Sequence, residues 1–230
     1  MNVAITDAMT QIQKNLAAIK AQLPDGVELV AVSKFHPVEA LQQAYDAGQR
    51  VFGESRAQEL VVKFRQMPAD TCFHFVGHLQ RNKVRAVVPC VGMIESVDSV
   101  ALLRLIDQEA ARAGRSVDVL LEVHVATEAA KTGFSVDELM RNAAAGELSG
   151  FDNVRICGLM AMASFTDNMD QVAQEFDKAH EAFLRLKKGI FHDHPEFCSL
   201  SMGMTDDWPV AVKHGSTMVR IGTAIFGMRQ

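Results

Sequence analysis

LVAVSKFHPVEALQQAYDAGQRVFG, residues 29–53, contains one complete strand–helix–strand unit. Leu29 to Ser33 is a short, continuous apolar run, the pattern of a strand buried on both faces. Pro37 suits the first turn of a helix, and Gly48 suits the position just past its end. Val51-Phe52-Gly53 then begins a second buried strand. A strand covered on both faces needs helices on both sides of its connections, which is the signature of a parallel sheet.

The same unit recurs outward from this stretch. Helices are expected over Ala57–Met67, Gln80–Val87, from a cap at Asp98 to near Gly114, over Ser135–Ala145, Met169–Lys188 and Asp206–His214. Strands are expected over Phe73–Val76, Met93–Glu95, Val117–Val125, Val154–Leu159, Phe197–Leu200 and Met218–Ile221. Ser135 and Glu138 have capping-box spacing. Eight strand–helix units favour a closed (β/α)8 barrel over an open doubly wound sheet. Ile5, Met9, Ile12, Leu16, Ile19 and Leu23 repeat at helical spacing, so an additional N-terminal helix precedes the barrel, and Pro24-Asp25-Gly26 ends it. No linker or low-complexity stretch divides residues 1–230, which read as a single domain.

Composition narrows the function. The chain is 48% hydrophobic and 22% charged, ordinary for a globular protein, and its net charge of −5 opposes nucleic-acid binding, which requires a basic surface. No window approaches the ~20 apolar residues of a membrane span. Cys72, Cys90, Cys157 and Cys198 form no C-x-x-C pair and match no zinc spacing, so reduced thiols in a cytoplasmic protein are expected and no metal is. His192-Asp-His194 reads as a solvated loop.

In a parallel barrel, chemistry gathers where strands run into the following helices. Lys34 follows Leu29–Ser33 directly. Burial there lowers a lysine's affinity for its proton and leaves a nucleophilic amine, reactive toward aldehydes. Ser199-Leu-Ser-Met-Gly-Met-Thr-Asp206 after strand seven, with Met218-Val-Arg-Ile-Gly-Thr223 at strand eight, offers glycines and hydroxyls where barrels hold phosphate. Thr223 opens a short helical turn. Arg220 lies inside an apolar run and needs an acceptor: Glu95, Glu122 or a ligand ring nitrogen. Lysine plus phosphate cradle indicates a phosphorylated aldehyde, either pyridoxal 5′-phosphate (PLP) as a Schiff base or a sugar phosphate in a Schiff-base aldolase.

Ala31-Val-Ser-Lys34, Phe52-Gly-Glu54 with Gln58-Glu59, His74-Phe-Val-Gly77 with Leu79-Gln80 and Asn82-Lys83, Lys131-Thr-Gly133, Gly158-Leu-Met160, Ser201-Met-Gly-Met204 with Asp206, and Gly215 through Gly227 occur in this order along almost the whole chain. Together they resemble the pyridoxal phosphate homeostasis protein family. The resemblance implies a fold like the N-terminal domain of alanine racemase, with the Schiff base on Lys34. It implies that Ser201, Gly222 and Thr223 hold the phosphate, Arg220 faces the pyridine nitrogen and Met202 lies near the ring. Ser55 stands where the family usually has Asn, and His124 where Asn is common. The expected role is PLP (vitamin B6) homeostasis, with indirect effects on amino-acid pools, by a monomer whose partners include apo PLP enzymes.

An enzyme, a PLP-dependent racemase or an aldolase, is the alternative. Racemase chemistry of the alanine type needs a tyrosine opposite the lysine, and the one tyrosine, Tyr45, falls on the helix after Lys34, away from the mouth. His74 and His78 are the other acid–base candidates; both read better as packed or solvated side chains, though His74 is kept among the cofactor-contacting residues. An arginine at the pyridine nitrogen leaves the ring a poor electron sink. A carrier is the favoured expectation.

Overall fold

The computed structural model describes residues 9–126 and 132–228. Eight strands close into one barrel in chain order: β1 (Glu28–Val32), β2 (Val51–Glu54), β3 (Cys72–Phe75), β4 (Met93–Val97), β5 (Val117–His124), β6 (Val154–Met162), β7 (Ser199–Ser201) and β8 (Met218–Ile221). Every pairing is parallel, including the closing seam in which Val30 lies opposite Arg220 and Ala31 opposite Ile221. The helices are α1 (Gln11–Lys20), α2 (Val38–Asp46), α3 (Ala57–Gln66), α4 (Val84–Val87), α5 (Val100–Arg112), α6 (Val136–Ala144), α7 (Met169–Lys188), α8 (Trp208–Lys213) and α9 (Thr223–Phe226).

Two apolar layers follow from the strand pleat. Outward-facing side chains pack under the helices with Leu41, Leu60, Ile106 and Phe176, all fully buried. Inward-facing Val30, Met93, Leu120, Cys157, Met160 and Met218 form a separate plug that fills the lower barrel. Each such side chain contributes roughly 1.5–3 kcal/mol on burial. The plug makes the lower barrel a packed core.

The added N-terminal helix is present, with a reciprocal cap: Thr10 Oγ accepts from Gln13 N (3.3 Å) and Thr10 N donates to Gln13 Oε1 (2.9 Å). It begins at Gln11, so Met9 precedes it, and Ile5 lies outside the described residues, as does Lys131. Asn15 Nδ2 donates to the Ile225 carbonyl (3.0 Å), tying α1 to α9 just after β8.

Several element ends differ from the sequence expectation. Ser99, not Asp98, caps α5, because its extended backbone lets Oγ accept from Leu102 N (3.2 Å), whereas Asp98 pairs with His78 (3.2 Å). The single helix expected over Gln80–Val87 is a 3-10 turn at Arg81–Lys83, the short α4, and a second 3-10 turn at Val88–Cys90. Pro89 has no N–H to continue an α-helix. β7 starts two residues later than Phe197, whose ring stacks on Phe191 (4.2 Å) and Phe183 (5.1 Å).

Candidate functional site

Lys34 lies immediately after β1, in a turn that carries the chain over the barrel rim. Ser33 N extends the ladder one step by donating to the Gly53 carbonyl (2.9 Å), and His36 N donates back to the Ser33 carbonyl (3.1 Å). Between them Phe35 adopts φ = 68°, the left-handed region. For a non-glycine residue this costs roughly 1 kcal/mol or more and persists only where neighbours enforce it. Here Glu59 Oε2 accepts from Phe35 N (2.8 Å), and the Arg56 guanidinium stacks 4.3 Å above the ring.

The closing seam brings the β8 end beside this turn. Gly222 follows β8 so closely against β1 that a Cβ there would stand 2.9 Å from the Val32 carbonyl oxygen. His36 stacks on Phe226 at 5.2 Å, joining the Lys34 turn to α9. Lys34, Gly222 and Thr223 therefore share one stretch of rim. Lys34 and Gly222 are part-buried and Thr223 is exposed. A cavity of about 420 Å³ adjoins Thr223, between the loops after β6 and β7, with Ser164, Thr166, Met204, Asp206 and Asp207 in its wall. Asp207 Oδ1 holds Met204 N (2.5 Å) and shapes that loop, while burial raises its pKa.

Above the apolar plug the barrel interior turns polar. Glu95 on β4 is fully buried; its Oε1 accepts a hydrogen bond from His74 Nδ1 (2.8 Å) and its Oε2 accepts from Ser201 Oγ (2.6 Å). Arg220 Nη1 donates to Ser201 Oγ (2.5 Å) and to the Ser201 carbonyl (2.9 Å), Nη2 donates to the Ala161 carbonyl (3.0 Å), and Glu95 lies 3.7 Å away. Burial alone would strip the proton from His74; its bonds to Cys72 and Glu95 outweigh that and lift its pKa to about 10. Burial likewise opposes ionisation of Glu95, yet His74, Arg220 and Ser201 hold its pKa below the ordinary value. The cluster is an imidazolium–carboxylate–guanidinium chain.

This arrangement assigns the sequence-expected residues to different places. Lys34, Gly222 and Thr223 meet at the rim. Arg220 lies beneath them, its charge facing Glu95 at 3.7 Å while its N–H groups go to Ser201 and Ala161. Ser201 points into the barrel with its hydroxyl proton given to Glu95. Met202 alternates outward, is fully buried and belongs to the layer under the helices. His74 is 4% exposed and lies in the floor. Ser55 is at the rim after β2, its backbone so near Gly77 that a Cβ on residue 77 would stand 2.7 Å from the Ser55 carbonyl oxygen. Across the mouth, Glu122 accepts from Thr132 Oγ1 (2.8 Å) with its pKa raised by burial, beside part-buried His124. Tyr45 is at the opposite end of the barrel, donating to Asp70 Oδ1 (2.5 Å).

One participant was not expected. Lys63, on α3, is 4% exposed and donates to the Ser33 carbonyl (2.8 Å), Glu54 Oε1 (2.7 Å) and Glu59 Oε2 (3.3 Å). Ser33 Oγ also donates to Glu54 Oε1 (2.6 Å), whereas Glu54 Oε2 is buried without a hydrogen-bond partner. Burial raises the Glu54 pKa against the pull of Lys63. The i, i+4 spacing of Glu59 and Lys63 was the available signal.

Comparison with known proteins gives the same architecture. The family model for the N-terminal domain of alanine racemase matches residues 8–230. The pyridoxal phosphate homeostasis protein of Pasteurella multocida is 36% identical, over 99% of this chain and 98% of its own. The chain belongs to the pyridoxal phosphate homeostasis protein family. A second family member, from Haemophilus influenzae, is 37% identical over 88% of this chain and 85% of its own. PipY of Synechococcus elongatus has been solved without PLP and with PLP bound. Its two structures superpose with TM-scores of 0.87 and 0.83, at 38% and 37% identity, over 94% of this chain and all of PipY.

Proposed function

We propose that this chain binds PLP covalently through Lys34 and acts in PLP homeostasis as a carrier, with residues 1–230 working as one barrel domain. The observation that carries the reading is the β1–β8 seam, which sets the lysine turn against the Gly222–Thr223 turn. PLP supplies an aldehyde that condenses reversibly with an amine, a phosphate dianion and a pyridine ring. The residues fit that group. The close approach at Gly222 leaves room for backbone where a side chain would intrude, and Thr223 adds an exposed hydroxyl. Arg220 supplies a fixed cation beneath the mouth and, together with Glu95, keeps Ser201 oriented. The PLP-bound structure of PipY and the names of the relatives support the same reading.

The chemistry of the floor supports a carrier over a racemase. His74 keeps its proton on Glu95 and lies inside the barrel, and Tyr45 is at the far end, so neither is poised as a second acid–base group at the rim. We further propose a cytoplasmic monomer that exchanges PLP with apo PLP enzymes; its four free cysteines suit a reducing compartment. Among the described residues no helix is long and apolar enough to cross a membrane.

The test is spectroscopic. Purified protein mixed with PLP gains a visible absorbance band, borohydride fixes PLP mass on the Lys34 peptide, and Lys34→Ala abolishes both. A wild-type protein that stays colourless with PLP refutes the reading.

A further inference from the structure

The two peptide groups that flank Lys34 are both held from outside the barrel by one cluster. The Ser33 carbonyl, in the peptide before Lys34, accepts from Lys63 Nζ at 2.8 Å. The Phe35 N–H, in the peptide after it, donates to Glu59 Oε2 at 2.8 Å. Lys63 and Glu59 are bonded to each other at 3.3 Å, one helical turn apart on α3. The third Lys63 proton goes to Glu54 Oε1 (2.7 Å), on β2, which also accepts from Ser33 Oγ (2.6 Å). An ammonium has three protons, and all three are engaged.

Two rigid peptide planes joined at one Cα leave two soft torsions, φ and ψ of the residue between them. Pinning both planes fixes both torsions, and with them the direction in which the Lys34 side chain leaves the backbone. The left-handed Phe35, at φ = 68°, is a conformation a phenylalanine does not choose locally. Glu59 holds the amide of this same residue. From this the geometry points to Lys63 and Glu59 as positioning residues for Lys34, an ionic clamp that aims the amine at the PLP aldehyde. The assignment rests on the reading of Lys34 as the PLP-bearing amine. Condensation joins the amine nitrogen to the aldehyde carbon and releases water, so it depends on the approach of one atom to another, whereas non-covalent docking of the phosphate and ring does not.

That difference supplies the experiment. Pyridoxine 5′-phosphate carries the ring and phosphate but an alcohol in place of the aldehyde, so it reports docking alone. Calorimetric affinity for pyridoxine 5′-phosphate and the stopped-flow rate of the PLP visible band are measured on wild type, Glu59→Ala, Glu59→Gln and Lys63→Met. Glu59 is one-quarter exposed, so Glu59→Ala remains folded even where Lys63→Met does not. Expected for Glu59→Ala is pyridoxine 5′-phosphate affinity within about twofold of wild type and PLP capture slowed about tenfold or more. Glu59→Gln retains an acceptor for the Phe35 N–H and recovers most of that rate. Wild-type capture by Glu59→Ala overturns the clamp while leaving Lys34 as the PLP site. An equal loss for both ligands also overturns it, since that is damage to the pocket as a whole. A wild type with no visible band removes the Lys34 reading itself, and the clamp with it.

Discussion

Two buried ionic clusters flank the β1–β8 rim, and they use the same chemistry for different ends. Lys63, Glu54 and Glu59 lie on the outer side of the sheet beneath the Lys34 turn, and their hydrogen bonds end on backbone groups of residues 33 and 35. His74, Glu95, Ser201 and Arg220 lie inside the barrel, and their side chains bond to one another across β3, β4, β7 and β8, with Arg220 also holding the Ser201 and Ala161 carbonyls. The outer cluster fixes a conformation. The inner cluster fills a space and fixes the charge beneath the mouth. A buried ion pair is weak evidence for stability in itself; where its bonds end says what it is for.

The contrast yields graded outcomes. Glu95→Ala strands both the His74 imidazolium and the Arg220 guanidinium, and the expected cost is about 3–5 kcal/mol in urea unfolding. A loss below about 1 kcal/mol, the range of an ordinary surface pair, would erase the distinction between the clusters. A second effect appears in the pH dependence. Folding holds the proton on His74 up to about pH 10, whereas an ordinary imidazole releases it near 6.5. The contribution is therefore complete below 6.5 and is lost as pH climbs through about 10. His74→Gln should flatten stability across that window, and an unaltered slope would show that the proton is not held there. In acid the clusters diverge: Glu95, with its lowered pKa, withdraws support as pH falls through its folded value, while the penalty of keeping raised-pKa Glu54 charged is relieved. The smallest effect belongs to Tyr45→Phe at the other end of the barrel. It should leave both the PLP band and the unfolding midpoint unchanged; a loss of the band would reopen a role for this tyrosine.

The strands were legible where their apolar runs are continuous, as in Leu29–Ser33, because burial on both faces leaves a mark independent of context. The rim position of Lys34, Gly222 and Thr223 followed from knowing where strands end. Burial of Lys63 was not legible. A lysine on an amphipathic helix reads as solvated, and what covers this one is a turn whose left-handed Phe35 has no signal in its own residue type. Ser201 illustrates a finer limit. With β7 read as ending at Leu200, Ser201 falls in the following loop; one more residue of strand puts it in the pleat, with its hydroxyl toward Glu95 and Met202 in the layer under the helices. At Asp98 and Ser99 two adjacent capping residues competed, and His78 decided the outcome by engaging the first.

The seam between β1 and β8 also dictates when the protein becomes competent. Lys34 leaves the ribosome long before Thr223, so the turn after β1 waits for seven further strands before the turn it packs beside exists. Contacts this distant in sequence are slow to form, and the latch from Asn15 to the Ile225 carbonyl is one of them. A chain lacking β8 would accordingly carry Lys34 without the turn that faces it, and on the proposed reading of Lys34 capture of PLP becomes a certificate that the barrel has closed.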